Sequence, residues 1–242
     1  MTKFSLKNKV AIVTGGGSGI GKAISLTFAE QDAKVHILDF NIEAANETAH
    51  EISKKGKEAI AHKCDVAKQL NVNEIIHNIY AKEKIDILIN NAGIAHVGNI
   101  EHCEEEDLDR LYNVNIKGVY NCSKVSIPLM KNSGGGVILN IASDLSIFSP
   151  DQRLYRKSIL SENMQPVKPV SYSVIKSGLI GLTRYLSTYW VENGVRCNAL
   201  SPGGVFNGQS DDFVERLSSL IPMGRMAEKD EYKSAIQFLC SD

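Results

Sequence analysis

Tyr172 and Lys176 sit four residues apart in the stretch SYSVIKSGLIG, Ser171 to Gly181. On a helix that spacing puts both side chains on one face, one turn apart. A phenol ordinarily titrates near pH ~10, and a neighbouring ammonium favours the phenolate and draws that value toward neutrality. Such a pair suits proton transfer at a carbonyl or an alcohol. The same spacing also arises by chance on amphipathic helices, so its meaning rests on what the rest of the chain builds around it.

A second group of residues suits phosphate. Thr14 to Gly21 reads TGGGSGIG, after the short β-branched run Lys9 to Val13 and before helical spacing that continues through Glu30. Strand, glycine turn and helix in that order form the context in which a glycine motif is informative. Gly15 permits the tight turn, and Gly19 and Gly21 allow close approach of backbone to phosphate and of helix to strand. The helix N-terminus adds free N–H groups and partial positive charge for a pyrophosphate. A purely structural turn is the competing reading. Lys34 to Leu38 is the next strand and ends at Asp39, about twenty positions beyond the turn, where a carboxylate can accept hydrogen bonds from adenosine ribose hydroxyls. It would repel a 2′-phosphate. Phe40 follows it and the glycine loop carries no basic residue, which favours NAD over NADP. Asp39 would serve equally as a cap for a helix starting near Ile42, as would Asn41.

The elements that must carry these groups follow in order. Helix-like sequence from Glu43 to Lys54 leads to a strand at Glu58 to His62 and then to Cys64, Asp65 and Val66. Val72, Ile75, Ile76 and Ile79 stripe a helix over Asn71 to Lys82. Ile85 to Ile89 is nearly all apolar, as a strand buried on both faces should be, and it ends in NNAG, Asn90 to Gly93. Strand and helix alternate throughout this first part of the chain, which predicts an α/β fold, a doubly wound parallel sheet with ligands at the carboxyl ends of its strands. Glu104 to Met130 reads as mostly helical, yet it contains Asn113 and Asn115; Asn is a poor helix former, so a buried Asn115 needs a capping or functional reason. Gly134 to Gly136 turn the chain into strand Val137 to Ile141, which delivers Ser143. Val195 to Leu200 forms another strand ending in SPGG, and helical sequence resumes at Asp211 to Leu220 and Glu228 to Leu239. No repeat or flexible linker interrupts the chain, so residues 1–242 read as one domain.

Composition narrows the partners. Of 242 residues, 43% are hydrophobic and 23% charged, with a formal net charge of −1 and no long basic run, which argues against nucleic acid or an acidic membrane surface. The cysteines (Cys64, Cys103, Cys122, Cys197, Cys240) are scattered, odd in number and never in a CxxC pair. They read as free thiols in a reducing compartment, not as a zinc site or a disulfide framework. The start of the chain lacks the apolar run of a signal peptide and no segment approaches ~18 apolar residues, so a cytoplasmic protein is expected. The six histidines, His36, His50, His62, His77, His96 and His102, form no metal-ligand grouping; His96 and His102 could approach the cleft or lie on the surface. Asp144, beside Ser143, reads as a substrate contact or a turn residue. The acidic run Glu104 to Asp107 is most simply a charged first helical turn.

With these pieces together the chain resembles the short-chain dehydrogenase/reductase family from Lys9 to its last residue. The resemblance rests on TGGGSGIG at 14–21, Asp39, Asp65-Val66, NNAG at 90–93, Asn115, Ser143, YSVIK at 172–176 and PGG at 202–204. It implies a Rossmann-type fold and a hydride transfer to or from NAD. Tyr172 would be the general acid/base, Lys176 would lower its pKa and bind the nicotinamide ribose, and Ser143 would donate to the substrate oxygen. Asn115 would distort its helix and hold a water linking Lys176 to solvent. Gly15, Ser18, Gly19, Ile20 and Gly21 would hold the pyrophosphate, and Asp65 and Val66 would flank the adenine. Asn91, Ala92 and Gly93 would line the cleft, and Pro202, Gly203 and Val205 would sit by the nicotinamide. A small-molecule alcohol or carbonyl substrate and a homo-oligomer, dimer or tetramer, are implied.

Three departures from the family pattern stand out. Ser143 and Tyr172 lie 29 positions apart, where the family has roughly half that. Tyr155 would satisfy the usual spacing, but Ile159 stands where its lysine would be, so Tyr172 remains the candidate and about 149–170 is an insertion near the mouth of the site. It carries Arg153, Arg156, Lys157 and Lys168 against Asp151 and Glu162. That charge suits a flap over a polar or anionic substrate; a solvated excursion or an oligomer contact is the alternative. Asn207 replaces a threonine expected against the nicotinamide amide. The family's final strand is expected to be missing after Cys240, which would leave the edge at Val195 to Leu200 open. The second half resembles members associated with sugar derivatives of surface polysaccharides and glycans, so an alcohol/ketone oxidoreductase of a sugar or polyol is the leading expectation. The first half also resembles 3-oxoacyl carrier protein reductases. A non-catalytic dinucleotide sensor or scaffold on the same fold is the reading from another class.

Overall fold

The structure, a computed structural model, describes residues 4–95, 99–161 and 164–242. His96, Glu162 and the side chain of His102 lie outside the described residues. The first half contains β1 (Val10–Thr14), α1 (Gly19–Glu30), β2 (Lys34–Asp39), α2 (Ile42–Lys54), β3 (Ala59–Lys63), α3 (Gln69–Tyr80) and β4 (Ile87–Asn90). The second contains α4 (Glu105–Tyr112), α5 (Gly118–Asn132), β5 (Gly136–Ile141), α6 (Val170–Tyr189), β6 (Val195–Leu200), α7 (Asp211–Leu220) and α8 (Lys233–Cys240).

All six strands pair in parallel, in the order β3-β2-β1-β4-β5-β6. The apolar runs of β1, β4 and β5 have a physical reason. Successive residues point to opposite faces of a strand, and here both faces are covered. Ala11, Val13, Val35, Ile37, Ile89 and Leu139 pack with Ile24 and Phe28 of α1, Ile52 of α2 and Ile236 of α8. Ile12, Leu38, Leu88 and Ile138 face the other way, onto Val72 and Ile76 of α3, Val125 and Leu129 of α5 and Leu186 of α6. This is the doubly wound, Rossmann-type single domain that the alternation predicts.

Register then sets where chemistry can occur. Val13 lies beside Ile37 and Ile89, and Leu139 lies beside Ile89 and Asn198. The segments leaving β1, β4, β5 and β6 therefore emerge together at one end of the sheet, around the point where strand order reverses between β1 and β4.

The mostly helical stretch Glu104 to Met130 is distorted at Asn115, as the resemblance implies, by a π-helical turn at Asn113–Lys117. One expectation about helices is revised. The helix expected from Glu228 starts only at Lys233. Glu231 is spent holding a turn, accepting from the Glu228 N–H at 2.9 Å and pairing with Arg225. Among the described residues β6 is the outermost strand on its side of the sheet. Arg196 of that strand reaches the last residues and donates to the carbonyls of Leu239 and Ser241.

Candidate active site

The glycine turn is shaped by contacts that leave no room for side chains. Gly15 has φ 64°, and a Cβ on Gly21 would lie 2.1 Å from the Gly15 carbonyl oxygen. Gly21 thus sets how closely α1 approaches β1. Asn91 locks the far side, donating from Nδ2 to the carbonyls of Thr14 (3.1 Å) and Gly15 (3.2 Å). Thr14 Oγ1 accepts from the N–H groups of Asn91 and Ala92 at 3.0 and 3.1 Å. Ser18, at the N-terminus of α1, makes no side-chain cap, so the first-turn N–H groups of Gly19, Ile20 and Gly21 are available to an anion. A Cβ on Gly19 would meet nothing within 4 Å, so the turn faces open space.

Asp39 ends β2 beside this turn. Its Oδ2 accepts from the Gly17 N–H at 2.9 Å and its Oδ1 from the Asn41 N–H at 2.9 Å. The cap of α2 is Asn41, whose Oδ1 accepts from the Ala44 N–H at 3.1 Å, which settles the choice between the two residues. Asp65 and Val66 follow β3. Asp65 Oδ1 accepts from the Ala67 N–H at 3.1 Å, and the carbonyl of buried Val66 accepts from Asn121 Nδ2 at 2.9 Å.

Asn115 lies in the π-helical turn and is buried. It makes two bonds to the backbone of one residue: its Oδ1 accepts from the Ile94 N–H at 2.8 Å and its Nδ2 donates to the Ile94 carbonyl at 2.9 Å. The poor helix former is therefore explained by a tie between the helix and the segment after Gly93.

Ser143 is delivered by β5 in extended conformation. Its hydroxyl donates to Asp144 Oδ1 at 2.8 Å, and it lies near enough to the Tyr172 phenol to pull its titration down. Pro202 and Gly203 stand alongside: the Pro202 carbonyl accepts from the Asp144 N–H at 3.0 Å, and the Gly203 N–H donates to Tyr232 Oη at 3.2 Å. Val205 bridges to Ala227. Asn207 is exposed, and its N–H donates to Gln209 at 2.6 Å.

Lys176 Nζ donates to the Ile141 carbonyl at 2.8 Å and stands 5.8 Å from the centre of the Tyr172 ring. Burial pushes the Tyr172 phenol above its ordinary value; Ser143 pulls it back and the Asp144 charge pushes it further up. Burial, followed by the charge of Lys168, brings Lys176 down to about 8. Burial is thus the largest influence on both groups, and the Lys176 Nζ donates to a backbone carbonyl.

The insertion is anchored at both ends of its run. Gln152 grips the backbone of Lys168, donating to its carbonyl at 3.0 Å and accepting from its N–H at 2.9 Å. Arg216 of α7 donates to the carbonyls of Arg153 (3.1 Å) and Arg156 (2.7 Å), and the Tyr155 and Phe213 rings lie 5.3 Å apart. Gln165 holds the outer loop through Lys157 and Leu160. Tyr155, set aside as a catalytic residue, is close enough to Asp144 and Tyr172 for both to raise its pKa after burial has done so. Tyr232 was not foreseen; it has no motif around it, and only the fold brings it to Gly203.

Sequence comparison and structure comparison agree with this architecture. A family model described as enoyl-(acyl carrier protein) reductase matches residues 15–242. An uncharacterized oxidoreductase of Thermotoga maritima is 36% identical, over 99% of this chain and 92% of its own. D-threitol dehydrogenase of Mycolicibacterium smegmatis is 33% identical, over 99% of this chain and 88% of its own. A crystal structure described as a putative NAD(P)-dependent gluconate 5-dehydrogenase of Beutenbergia cavernae, with bound NADP, superposes with a TM-score of 0.88. It is 30% identical and covers 99% of this chain and 92% of that one. The chain belongs to the short-chain dehydrogenase/reductase family. It is an NAD(P)-dependent oxidoreductase acting on CH–OH groups.

Proposed function

We propose that the protein uses NAD to interconvert a secondary alcohol and a ketone on a sugar, polyol or sugar derivative. The observation that carries this reading is the meeting of Ser143, Tyr172 and Lys176 at the end of β5, across the sheet's switch point from an uncapped, glycine-lined helix N-terminus. The residues fit the cofactor. Gly15, Ser18, Gly19, Ile20 and Gly21 would hold the pyrophosphate; Asp39, acceptor-only when ionised, would take the adenosine ribose. Asp65 and Val66 would flank the adenine. Asn91, Ala92 and Gly93 would border the cleft, and Pro202, Gly203 and Val205 the nicotinamide. Tyr172 and Lys176 would reach the nicotinamide ribose. The nicotinamide, when bound, supplies the hydride acceptor or donor.

In the oxidising direction Tyr172 Oη accepts the hydroxyl proton of the substrate. Ser143 releases its bond to Asp144 and donates to the same substrate oxygen, fixing it against Tyr172. Asn115, tied to Ile94, would hold the water through which Lys176 returns the proton to solvent. D-threitol and gluconate appear in the names of relatives, which supports the polyol and sugar-acid class. Asp39 supports NAD, since a 2′-phosphate would meet its charge. The free cysteines suit a reducing cytoplasm. Exposed Tyr112, Tyr120, Val174, Tyr185 and Tyr189 suit a homo-oligomer, dimer or tetramer.

The test is a panel of polyols, sugar acids and nucleotide sugars run with NAD and with NADP, read by reduced-nicotinamide absorbance. Turnover is expected with NAD, and Tyr172→Phe is expected to lose about 10²–10⁴ of it. Undiminished turnover in Tyr172→Phe would contradict the mechanism. A panel with no turnover at all would favour the dinucleotide sensor.

A further inference from the structure

The cation nearest to the Tyr172 ring is not the lysine of its own motif. Lys168, the last cation of the insertion, sets its ammonium 3.7 Å from the ring centre, against 5.8 Å for Lys176. That placement is built. Gln152 clamps the Lys168 backbone in both directions, Arg216 clamps the turn that carries Gln152, and Pro169 follows directly at the N-terminus of α6. No carboxylate among the described residues makes an ion pair with the Lys168 ammonium; burial pulls its titration down, and the Asp144 charge pulls it back up. A half-buried ammonium without an ion pair is costly, and the ring face is what compensates it.

We propose that Lys168 is a positioning residue that acts through Tyr172, its ammonium stabilising the phenolate across the ring face. The attraction grows when the ring carries charge, because a phenolate spreads its negative charge into the π-system that a neutral phenol offers only as a quadrupole. The other groups around the phenol act in both directions. Ser143, after β5, favours ionisation, while Asp144 beside it opposes it. Tyr155, from the insertion, and Tyr232, from the turn before α8, are neutral phenols that share the Asp144 field. Lys176, on α6 itself, is held by Ile141. Lys168 thus offsets Asp144. The insertion is then part of the acid/base apparatus and not only a cover over the substrate.

This inference rests on Tyr172 being the acid/base, but its test does not need turnover. Tyrosine labelled at Cζ with an NMR-active carbon isotope is incorporated into the full chain without cofactor, and the Tyr172 resonance is assigned by its loss in Tyr172→Phe. Lys168→Met and Lys168→Gln are expected to raise the Tyr172 titration midpoint by about one pH unit, the size of a partly desolvated cation–π contact. Lys168→Arg is expected to stay close to the wild type. With an active substrate, the acid limb of kcat/KM for oxidation moves by the same amount in the same variants. A midpoint that does not move in Lys168→Met and Lys168→Gln overturns the proposal. If the midpoint stays fixed while KM rises only for carboxylate- or phosphate-bearing substrates, Lys168 is an anion receptor instead. A wild-type protein without turnover would defeat the substrate reading and leave the titration result standing.

Discussion

Asp144 is the residue whose charge reaches most of the site. It accepts the Ser143 hydroxyl and raises the titration of Tyr155, Tyr172 and Tyr232 together. Asp144→Asn removes that charge while keeping an oxygen where Ser143 donates. The phenolate of Tyr172 then forms at lower pH, so the acid limb of kcat/KM for alcohol oxidation is expected to shift to lower pH. A pH–rate profile of wild type and variant checks it; kcat/KM reports the free enzyme. Ser143, Tyr172 and Lys176 were legible because each has a fixed motif. The direction of the Tyr172 shift was not, because it depends on burial, which does not follow from spacing.

The insertion is the element whose behaviour sequence described least. Its charges were plain, but its anchoring depends on Arg216, more than forty positions beyond it in the chain, and on an amide clamp that no pattern announces. Arg153, Arg156 and Lys157 are exposed and give trypsin its sites there. Arg216→Ala removes the donors to the Arg153 and Arg156 carbonyls and is expected to speed cleavage at those residues at least several-fold, read by mass spectrometry of limited digests. An unchanged digest would mean that the Tyr155–Phe213 contact and the Gln152 and Gln165 bonds hold the segment without Arg216. The strands were far easier to read, since a run buried on both faces is nearly all apolar. The end of α8 was legible and its start was not, because Glu231 serves a turn.

At the scale of the whole molecule, stability has a pH dependence set far from the chemistry. His36 and His62, on adjacent strands, are 2.9 Å apart between Nδ1 and Nε2, and His36 Nε2 lies 2.8 Å from Glu83 Oε1. The bonding is consistent if both rings are neutral and protonated at Nε2, with His62 donating to His36 and His36 to Glu83. Burial pulls His36 down against the pull of Glu83, and burial with the charge of His36 holds His62 at about 4. Both values lie below those of an unfolded chain, near ~6.5. As pH falls below about 6.5 the unfolded chain takes up protons that the folded one refuses, and stability drops until His62 itself titrates at about 4. Thermal melts are expected to show Tm falling through that window, and His62→Gln is expected to flatten the fall. The pairing was invisible as a motif, since the two residues lie 26 apart and meet only through strand register.

The strand order β3-β2-β1-β4-β5-β6 also fixes a timetable for synthesis. β1 finds β2 within one helix of its own position, but its other neighbour, Ile87 beside Ala11, is 76 residues later. At a ribosomal rate of ~5–20 residues per second that interval is about 4–15 s. For that long, the most apolar strand of the nascent sheet has one unpaired edge, and the phosphate-binding turn lacks Asn91 to close it. Each newly made chain is therefore at its most vulnerable to aggregation while residues 15–90 emerge, and competent to bind a dinucleotide only after NNAG has arrived.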